Sequence, residues 1–206
     1  MTDQNAVRND ISFLRALAED GRDAPLNGGS ALFSAGTIFG LACAVAVWGG
    51  LTGRLTGPWA DPALFLGAGA LHGAVMWRLR GTRAVWRGAG SRANVATNIA
   101  WTGIAGAVVA GSLGLIAIGL STHDWTVMLA LPPMVFAAYG AAWTVAAFMS
   151  RQRWLWLVAL ASFAVAVTLG AVAGSPVTFY GLFVAAVFLL VALPGFVMML
   201  QARRVA

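Results

Sequence analysis

The chain has little charge and no lysine. Only 10% of its 206 residues are charged, against about 25% in an ordinary soluble domain. All 13 basic residues are arginine. No side chain can therefore form the Schiff base of a retinal protein or a pyridoxal-phosphate enzyme, or serve as the lysine of a Walker-type nucleotide site. The composition argues against all three classes.

Cysteine and histidine are scarce as well. The one cysteine, Cys43, cannot form an intrachain disulfide or a thiolate metal cluster. The two histidines, His72 and His123, fall in opposite halves of the predicted membrane region, so we expect no metal site and no cofactor. The sequences Gly-x-Ser-x-Gly and His-Glu-x-x-His are missing, and apolar stretches hold no pair of carboxylates. We expect no catalytic residues and no enzyme activity.

Hydrophobic residues make up 60% of the chain and fall into six stretches. Each stretch is long enough to cross the hydrocarbon core of a bilayer, about 30 Å thick. We predict an all-α integral membrane protein, with a six-helix transmembrane bundle over residues 29–206 and a short cytoplasmic amphipathic segment over residues 1–28. The predicted spans are residues 29–50, 59–78, 93–120, 125–149, 153–174 and 177–200.

The arginines fall almost entirely on alternate sides of these spans. Of the 13, 12 lie in the N-terminal segment, the second and fourth connections and the C-terminus, while Arg54 alone lies on the opposite side. Because arginine-rich loops stay in the cytoplasm, we expect both termini to be cytoplasmic in a bacterial inner membrane. Topology also accounts for the net charge of +6 without a nucleic-acid partner.

The N-terminal segment has the spacing of an amphipathic helix. Val7, Ile11, Leu14 and Ala18 share one helical stripe. Such a helix lies on the cytoplasmic face of the membrane or docks against the bundle. It serves either as a packing element that leads into the first span or as a regulatory, partner-docking element.

Ionisable residues at membrane depth cost free energy, so a histidine there is a candidate functional group. We therefore predict a polar layer around His72 inside the bundle. His72 and Asn98 each lie six residues from an arginine at the predicted inner interface, which places both about 9 Å below it. Thr144 has a similar depth. The layer provides either interhelical hydrogen bonds or a proton, ion or ligand site. Its candidate members are His72, Asn98, Thr102, Tyr139 and Thr144.

The connection between the second and third spans is the densest charge cluster. Its arginines act either as a topology determinant or as a binding site for anionic phospholipid head groups. They are Arg78, Arg80, Arg83, Arg87 and Arg92.

The third span is the longest, and small residues recur along it. Small residues let neighbouring backbones approach, so we expect this span near the centre of the bundle. Its glycines are Gly103, Gly106, Gly111, Gly114 and Gly119.

Three functional hypotheses follow from these features. The first is a non-catalytic structural or regulatory subunit that contacts another membrane protein, or a second copy of itself, through its transmembrane helices and its cytoplasmic N-terminal helix. The second is a small-solute transporter or channel with a path through the polar layer around His72. The third is a protein that binds lipid or an apolar cofactor between its helices. Sparse buried charge disfavours ion transport.

Overall fold

The computed structural model describes residues 26–55, 60–83 and 91–205, together with Arg8 and Ile11. All regular structure in these residues is helical. The helices are α1 (Gly29–Thr52), α2 (Ala60–Arg83), α3 (Arg92–Thr122), α4 (Leu131–Ser150), α5 (Arg153–Ala171), α6 (Pro176–Val187) and α7 (Leu193–Val205). A 3-10 turn, Trp125–Ala130, leads into α4, and a π-helical turn, Phe188–Ala192, joins α6 to α7.

A helix occupies each of the six predicted ranges, with α6, the π turn and α7 forming one continuous segment. In α2 the apolar part is limited to Ala63–Leu79, so its crossing of the bilayer stays a prediction. The predicted N-terminal helix lies outside the described residues except for Arg8 and Ile11, which are helical and exposed. Five segments are long and apolar enough to span a membrane: Gly29–Thr52, Arg92–Thr122, Trp125–Ser150, Arg153–Ala171 and Pro176–Arg203.

Local sequence explains where several helices begin and end. The Ser91 hydroxyl accepts a hydrogen bond of 3.3 Å from the backbone N–H of Asn94 and so caps the start of α3. Helix α1 ends at Gly53, whose φ of 67° lies in the left-handed region that glycine adopts without strain. Helices α3 and α4 end in the same way at His123 and Arg151, with φ of 56° and 55°.

Glycines bring α1 into close contact with the C-terminal helix, the continuous segment formed by α6, the π turn and α7. A Cβ atom on Gly36 would collide with the backbone of Ala192, and one on Gly29 would lie 2.6 Å from the carbonyl oxygen of Gly195. A Cβ atom on Gly195 would in turn meet the backbone at Phe33. Backbones this close make extensive van der Waals contact, which is the main source of helix association in an apolar solvent.

Helix α4 packs between α3 and α5. The indole of Trp143, in α4, is fully buried in one hydrophobic cluster with Leu155 from α5 and Val191 from the π turn. A second cluster joins Phe136 from α4 to Phe179 from α6. The core of the bundle therefore consists of α1, α4, α5 and the C-terminal helix.

Helices α2 and α3 lie at the periphery. Helix α2 packs on α1, α3 packs on α4, and the two are not a packing pair in the described part of the chain. Only 6% of the apolar window of α3 is buried, and Cβ atoms on Gly103, Gly106 or Gly114 would meet nothing within 4 Å. The prediction that the third span is central was wrong, because the glycines that bring backbones together belong to α1 and α7.

We predict that Gly36→Leu destabilises the protein by at least about 1–3 kcal/mol, the usual cost of overpacking. The new side chain would have to displace backbone atoms at Ala192. Gly181→Leu on α6 is the matched control, because nothing lies within 4 Å of a Cβ atom there. Thermal unfolding in detergent, followed by circular dichroism, measures the difference. Equal midpoints for the two variants would contradict the close contact.

Candidate functional site

His72 connects α2 to α1. Its Nδ1 atom lies 3.3 Å from the hydroxyl oxygen of Ser34, and its ring meets the Phe39 ring edge-on, with centroids 6.0 Å apart. The Ser34 hydroxyl donates to the carbonyl of Ala31 at 3.0 Å. The Ser34 hydroxyl therefore contacts both its own helix and the imidazole of His72 on α2.

Asn98 and Thr102 lie on an exposed face of α3. The Thr102 hydroxyl donates to the backbone carbonyl of Asn98 at 2.8 Å. Within the described residues, no hydrogen bond joins His72 to Asn98, because their helices pack on different neighbours. The structure therefore does not bring these two members of the predicted polar layer together.

Tyr139 and Thr144 lie on α4. The Thr144 hydroxyl donates to the carbonyl of Gly140 at 2.8 Å, a bond within its own helix. Tyr139 packs edge-on against Trp101 of α3, with ring centroids 5.3 Å apart. Tyr139 thus belongs to an interhelical aromatic contact, while the Thr144 hydroxyl is used locally.

A different group of polar residues is buried where α3 begins. We call it the inner polar cluster, and it comprises Asn27, Ser91, Asn94, Thr97 and Trp101. Asn94 and Thr97 are 0% and 1% exposed. The backbone N–H of Asn27 donates to Asn94 Oδ1 at 2.6 Å, and Asn94 Nδ2 lies 3.1 Å from Ser91 Oγ. These bonds attach the segment before α1 to the first turn of α3.

The spacing of Asn94, Thr97 and Trp101 places all three on one face of α3, because residues three and four apart are helical neighbours. The sequence instead led us to predict Asn98 as a member of the buried polar layer. Asn98 follows Thr97 in the chain and is therefore rotated from it by about 100° around the helix axis. Ser91, three residues before Asn94, is the capping signal that identifies the start of this face.

Several atoms of the inner polar cluster remain unpaired. Asn27 Nδ2, Asn27 Oδ1, Thr97 Oγ1 and Trp101 Nε1 are buried and have no hydrogen-bond partner among the described residues. Native structures pair about 90% or more of their buried polar groups, through protein or ordered water. Unpaired atoms from three residues of one cluster therefore identify it as the strongest candidate site in the bundle.

Trp143 packs against the aromatic ring of Trp101 beside the cluster. Its ring lies edge-on to Trp101, with centroids 5.2 Å apart. Its Nε1–H donates to the backbone carbonyl of Leu190 at 3.2 Å. That carbonyl lacks its usual helical donor, because the residue four positions later is Pro194, which has no N–H. Trp143 therefore supplies the hydrogen bond that the proline removes.

The π turn has the same origin. A proline ring clashes with the carbonyl four residues earlier, here that of Leu190. The helix widens at this point, and the N–H of Leu193 bonds to the carbonyl of Phe188, five residues back. Pro194 therefore accounts both for the local widening and for the carbonyl that faces Trp143.

The arginine cluster is only partly described. Arg78 and Arg92 are exposed, and Trp77 beside Arg78 is 75% exposed. The side chains of Arg80 and Arg83, and the whole of Arg87, lie outside the described residues. Binding of phospholipid head groups by this cluster stays a prediction.

The loop between α3 and α4, at the opposite end of α3, contains Asp124. Its carboxylate accepts hydrogen bonds from the hydroxyl and the backbone N–H of Thr126, at 2.6 Å and 2.9 Å. Both bonds favour the ionised form and lower the pKa of Asp124 below its ordinary value. The described residues contain no group of three or more histidine, cysteine or acidic side chains placed to hold a metal ion.

We predict that Trp143→Phe destabilises the protein by about 1–3 kcal/mol, because the part-buried Leu190 carbonyl loses the indole donor. Pro194→Ala restores a backbone N–H to that carbonyl. In the Pro194→Ala background, Trp143→Phe should therefore cost less, and a double-mutant cycle of unfolding free energies measures the coupling. The lost ring volume is common to both backgrounds and cancels. An equal cost in both would contradict this role for Trp143.

Comparison with known proteins gives no relative. No protein-family model matches the chain. No curated protein sequence and no solved structure matches it either. The functional conclusion therefore depends on the residues and geometry of this chain alone.

Proposed function

We propose that this chain is a non-catalytic subunit of a bacterial inner-membrane assembly, with six spans and both termini in the cytoplasm. In this proposal its peripheral helices α2 and α3 dock another membrane protein, and the segment before α1 contributes from the cytoplasmic side. The observation that carries the proposal is the uncovered small-residue face of α3.

That face has the spacing of a helix-packing motif. Gly106, Ala110 and Gly114 follow one another every four residues and are all exposed. A Cβ atom on either glycine would meet nothing within 4 Å. Small residues at this spacing let transmembrane helices approach each other closely. A partner helix on this face would make the kind of contact that Gly36 allows between α1 and the C-terminal helix.

The low helix propensity of glycine is a second reason to propose a partner helix on α3. A glycine inside a helix costs about 0.5–1 kcal/mol relative to alanine. At Gly29, Gly36 and Gly195 close packing offsets this cost. At Gly106 and Gly114 nothing in the described chain does so, and a docked helix would supply the missing contact.

Helix α2 has a second face of this kind. Gly69 and Gly73 are exposed, are separated by four positions, and have open space around them. The described part of α2 packs on α1 alone among the helix pairs in close contact. Since α2 and α3 are consecutive and do not pack together in the described part of the chain, we propose that both faces contact a partner.

The sidedness of the bundle supports cytoplasmic termini. One hydrophobic cluster contains Leu26, Ala93, Leu155 and Met198, so the starts of α1, α3 and α5 and the last helix meet at one end. The arginines next to these helix termini in the sequence lie at this same end of the bundle. Arg54, at the other end, lies over the Trp48 ring at 5.3 Å. The positive-inside rule assigns the arginine-rich end to the cytoplasm.

The transporter alternative has less support. Its predicted path needs His72, Asn98 and Thr144 in one layer. His72 instead contacts Ser34 on α1, and Asn98 is exposed on α3. The geometry therefore favours the subunit hypothesis.

We predict that the chain copurifies with a partner in mild detergent, and that Gly106→Leu combined with Gly114→Leu removes the partner while the chain stays folded. The added side chains would separate the two backbones. Gly181→Leu on α6 should leave the partner bound, because it changes an equally open position on another helix. Native mass spectrometry of the purified complexes measures this. A partner-free wild-type monomer with measurable solute flux in proteoliposomes would overturn the proposal.

The orientation has its own test. In a Cys43→Ala background, we predict that Asp124→Cys reacts with a membrane-impermeant maleimide added to intact spheroplasts. Arg153→Cys should react only after the membrane is disrupted. Both positions are exposed on the protein, so a difference in labelling reports the side of the membrane. Reaction of Arg153→Cys in intact spheroplasts would contradict cytoplasmic termini.

A further inference from the structure

The hydroxyl of Thr97 differs from other serine and threonine hydroxyls in these helices, which bond to the backbone of their own helix. The hydroxyls of Ser112, Thr144 and Ser162 each donate to the carbonyl four residues earlier, at 2.7, 2.8 and 2.8 Å. Thr97 is 1% exposed and has no such bond within the described residues. Its hydroxyl is therefore buried without using the backbone of its own helix.

The other unpaired atoms extend this feature along α3. Trp101 Nε1 is unpaired one turn beyond Thr97, and both polar atoms of the Asn27 side chain are unpaired beside Asn94. From Asn94 to Trp101 is seven residues, about 10 Å along the helix. One water molecule cannot reach partners over that length. The unpaired groups fit a molecule with several polar atoms, or a chain of waters.

The chemistry of these groups restricts the guest. Asn27 Nδ2 and Trp101 Nε1 can only donate, Thr97 Oγ1 can donate or accept, and Asn27 Oδ1 accepts. Among the described residues, the hydrogen bonds within the cluster join neutral groups. A cluster whose unpaired groups are mostly uncharged donors suits a ligand that has neutral carbonyl oxygens. The Trp101 ring beside Tyr139 adds an aromatic wall that suits a flat or apolar body.

Entry from the bilayer is consistent with the fold. Helix α3 is mostly uncovered, and α2 does not pack against it in the described part of the chain. The cluster faces away from Gly106 and Gly114, which lie about 120° to 200° around α3 from Asn94. The site is therefore separate from the proposed docking face.

We propose that the inner polar cluster binds the neutral carbonyl head group of a lipid-soluble molecule. Asn27, Thr97 and Trp101 donate hydrogen bonds to its oxygens, and the apolar tail extends past α3 into the bilayer. Two sources share this chemistry, namely a quinone ring and the ester region of an uncharged glycerolipid. The proposal goes beyond the subunit function and does not depend on it.

Titration calorimetry of the full chain in detergent tests the proposal with two probes, a decyl-substituted benzoquinone and a short-chain diacylglycerol. We expect one probe to bind saturably. Thr97→Val, which keeps the shape of the side chain, and Trp101→Phe, which keeps an aromatic ring, should each weaken binding about tenfold, the effect of one lost hydrogen bond. Thr102→Val is the matched control and should bind as wild type does, because its hydroxyl bonds to its own helix. The probe that binds identifies the source.

Thermal unfolding of the same variants separates the remaining outcomes. If neither probe binds and Thr97→Val raises the unfolding midpoint, the hydroxyl is merely unpaired and the proposal is overturned. If neither binds and Thr97→Val lowers the midpoint, the cluster holds only water, which overturns the proposal as well. Equal loss of binding in Thr97→Val and Thr102→Val would show that the effect is not local. Should Thr97→Val fail to fold, Trp101→Phe decides by the same criteria.

Discussion

The need of buried polar groups for hydrogen-bond partners is the constraint on which this bundle depends. In an apolar solvent a helix meets the need for its own backbone, and any exception requires a partner from elsewhere. Pro194 leaves the Leu190 carbonyl without its usual helical donor, and the Trp143 indole of α4 donates a hydrogen bond to that carbonyl instead. The same indole then meets Trp101 edge-on. The hydrogen bond that replaces one missing N–H thus connects α4 to the last helix, and the aromatic contact connects α4 to the first half of α3.

Close packing provides the second element of the architecture. Gly36 and Gly195 allow α1 to approach the π turn and α7 until their backbones touch, whereas Gly106 and Gly114 have open space in front of them. Gly36 and Gly106 occupy similar alanine- and glycine-rich stretches, so composition predicts the same role for both. Only the neighbour in space distinguishes a contact already made from one still available, and this distinction supports the assignment of α3 as a docking helix.

The sequence predicts the helices well because their length and hydropathy are properties of the chain itself. The range 93–120 predicted for the third span, for instance, compares with Arg92–Thr122 in the structure. The sequence predicts less well which side chains of a helix face the protein and which face the bilayer. Thr97 and Asn98 are adjacent and equally plausible as buried polar residues, yet one is 1% exposed and the other lies on the exposed side. Choosing between them needs the position of α4. The contact of His72 with Ser34 likewise depends on which helix lies beside α2.

Helix α3 has two faces with opposite character, and this explains why its sequence carries both polar residues and glycines. Toward α4 it presents Asn94, Thr97 and Trp101, where burial demands hydrogen-bond partners. On the opposite side it presents Gly106 and Gly114, where exposure leaves close contact unmade. A purely lipid-facing helix needs neither feature, since apolar side chains all round satisfy the bilayer. Because both faces lack contacts within the described part of the chain, the proposed partner helix and the proposed ligand would both bind to α3.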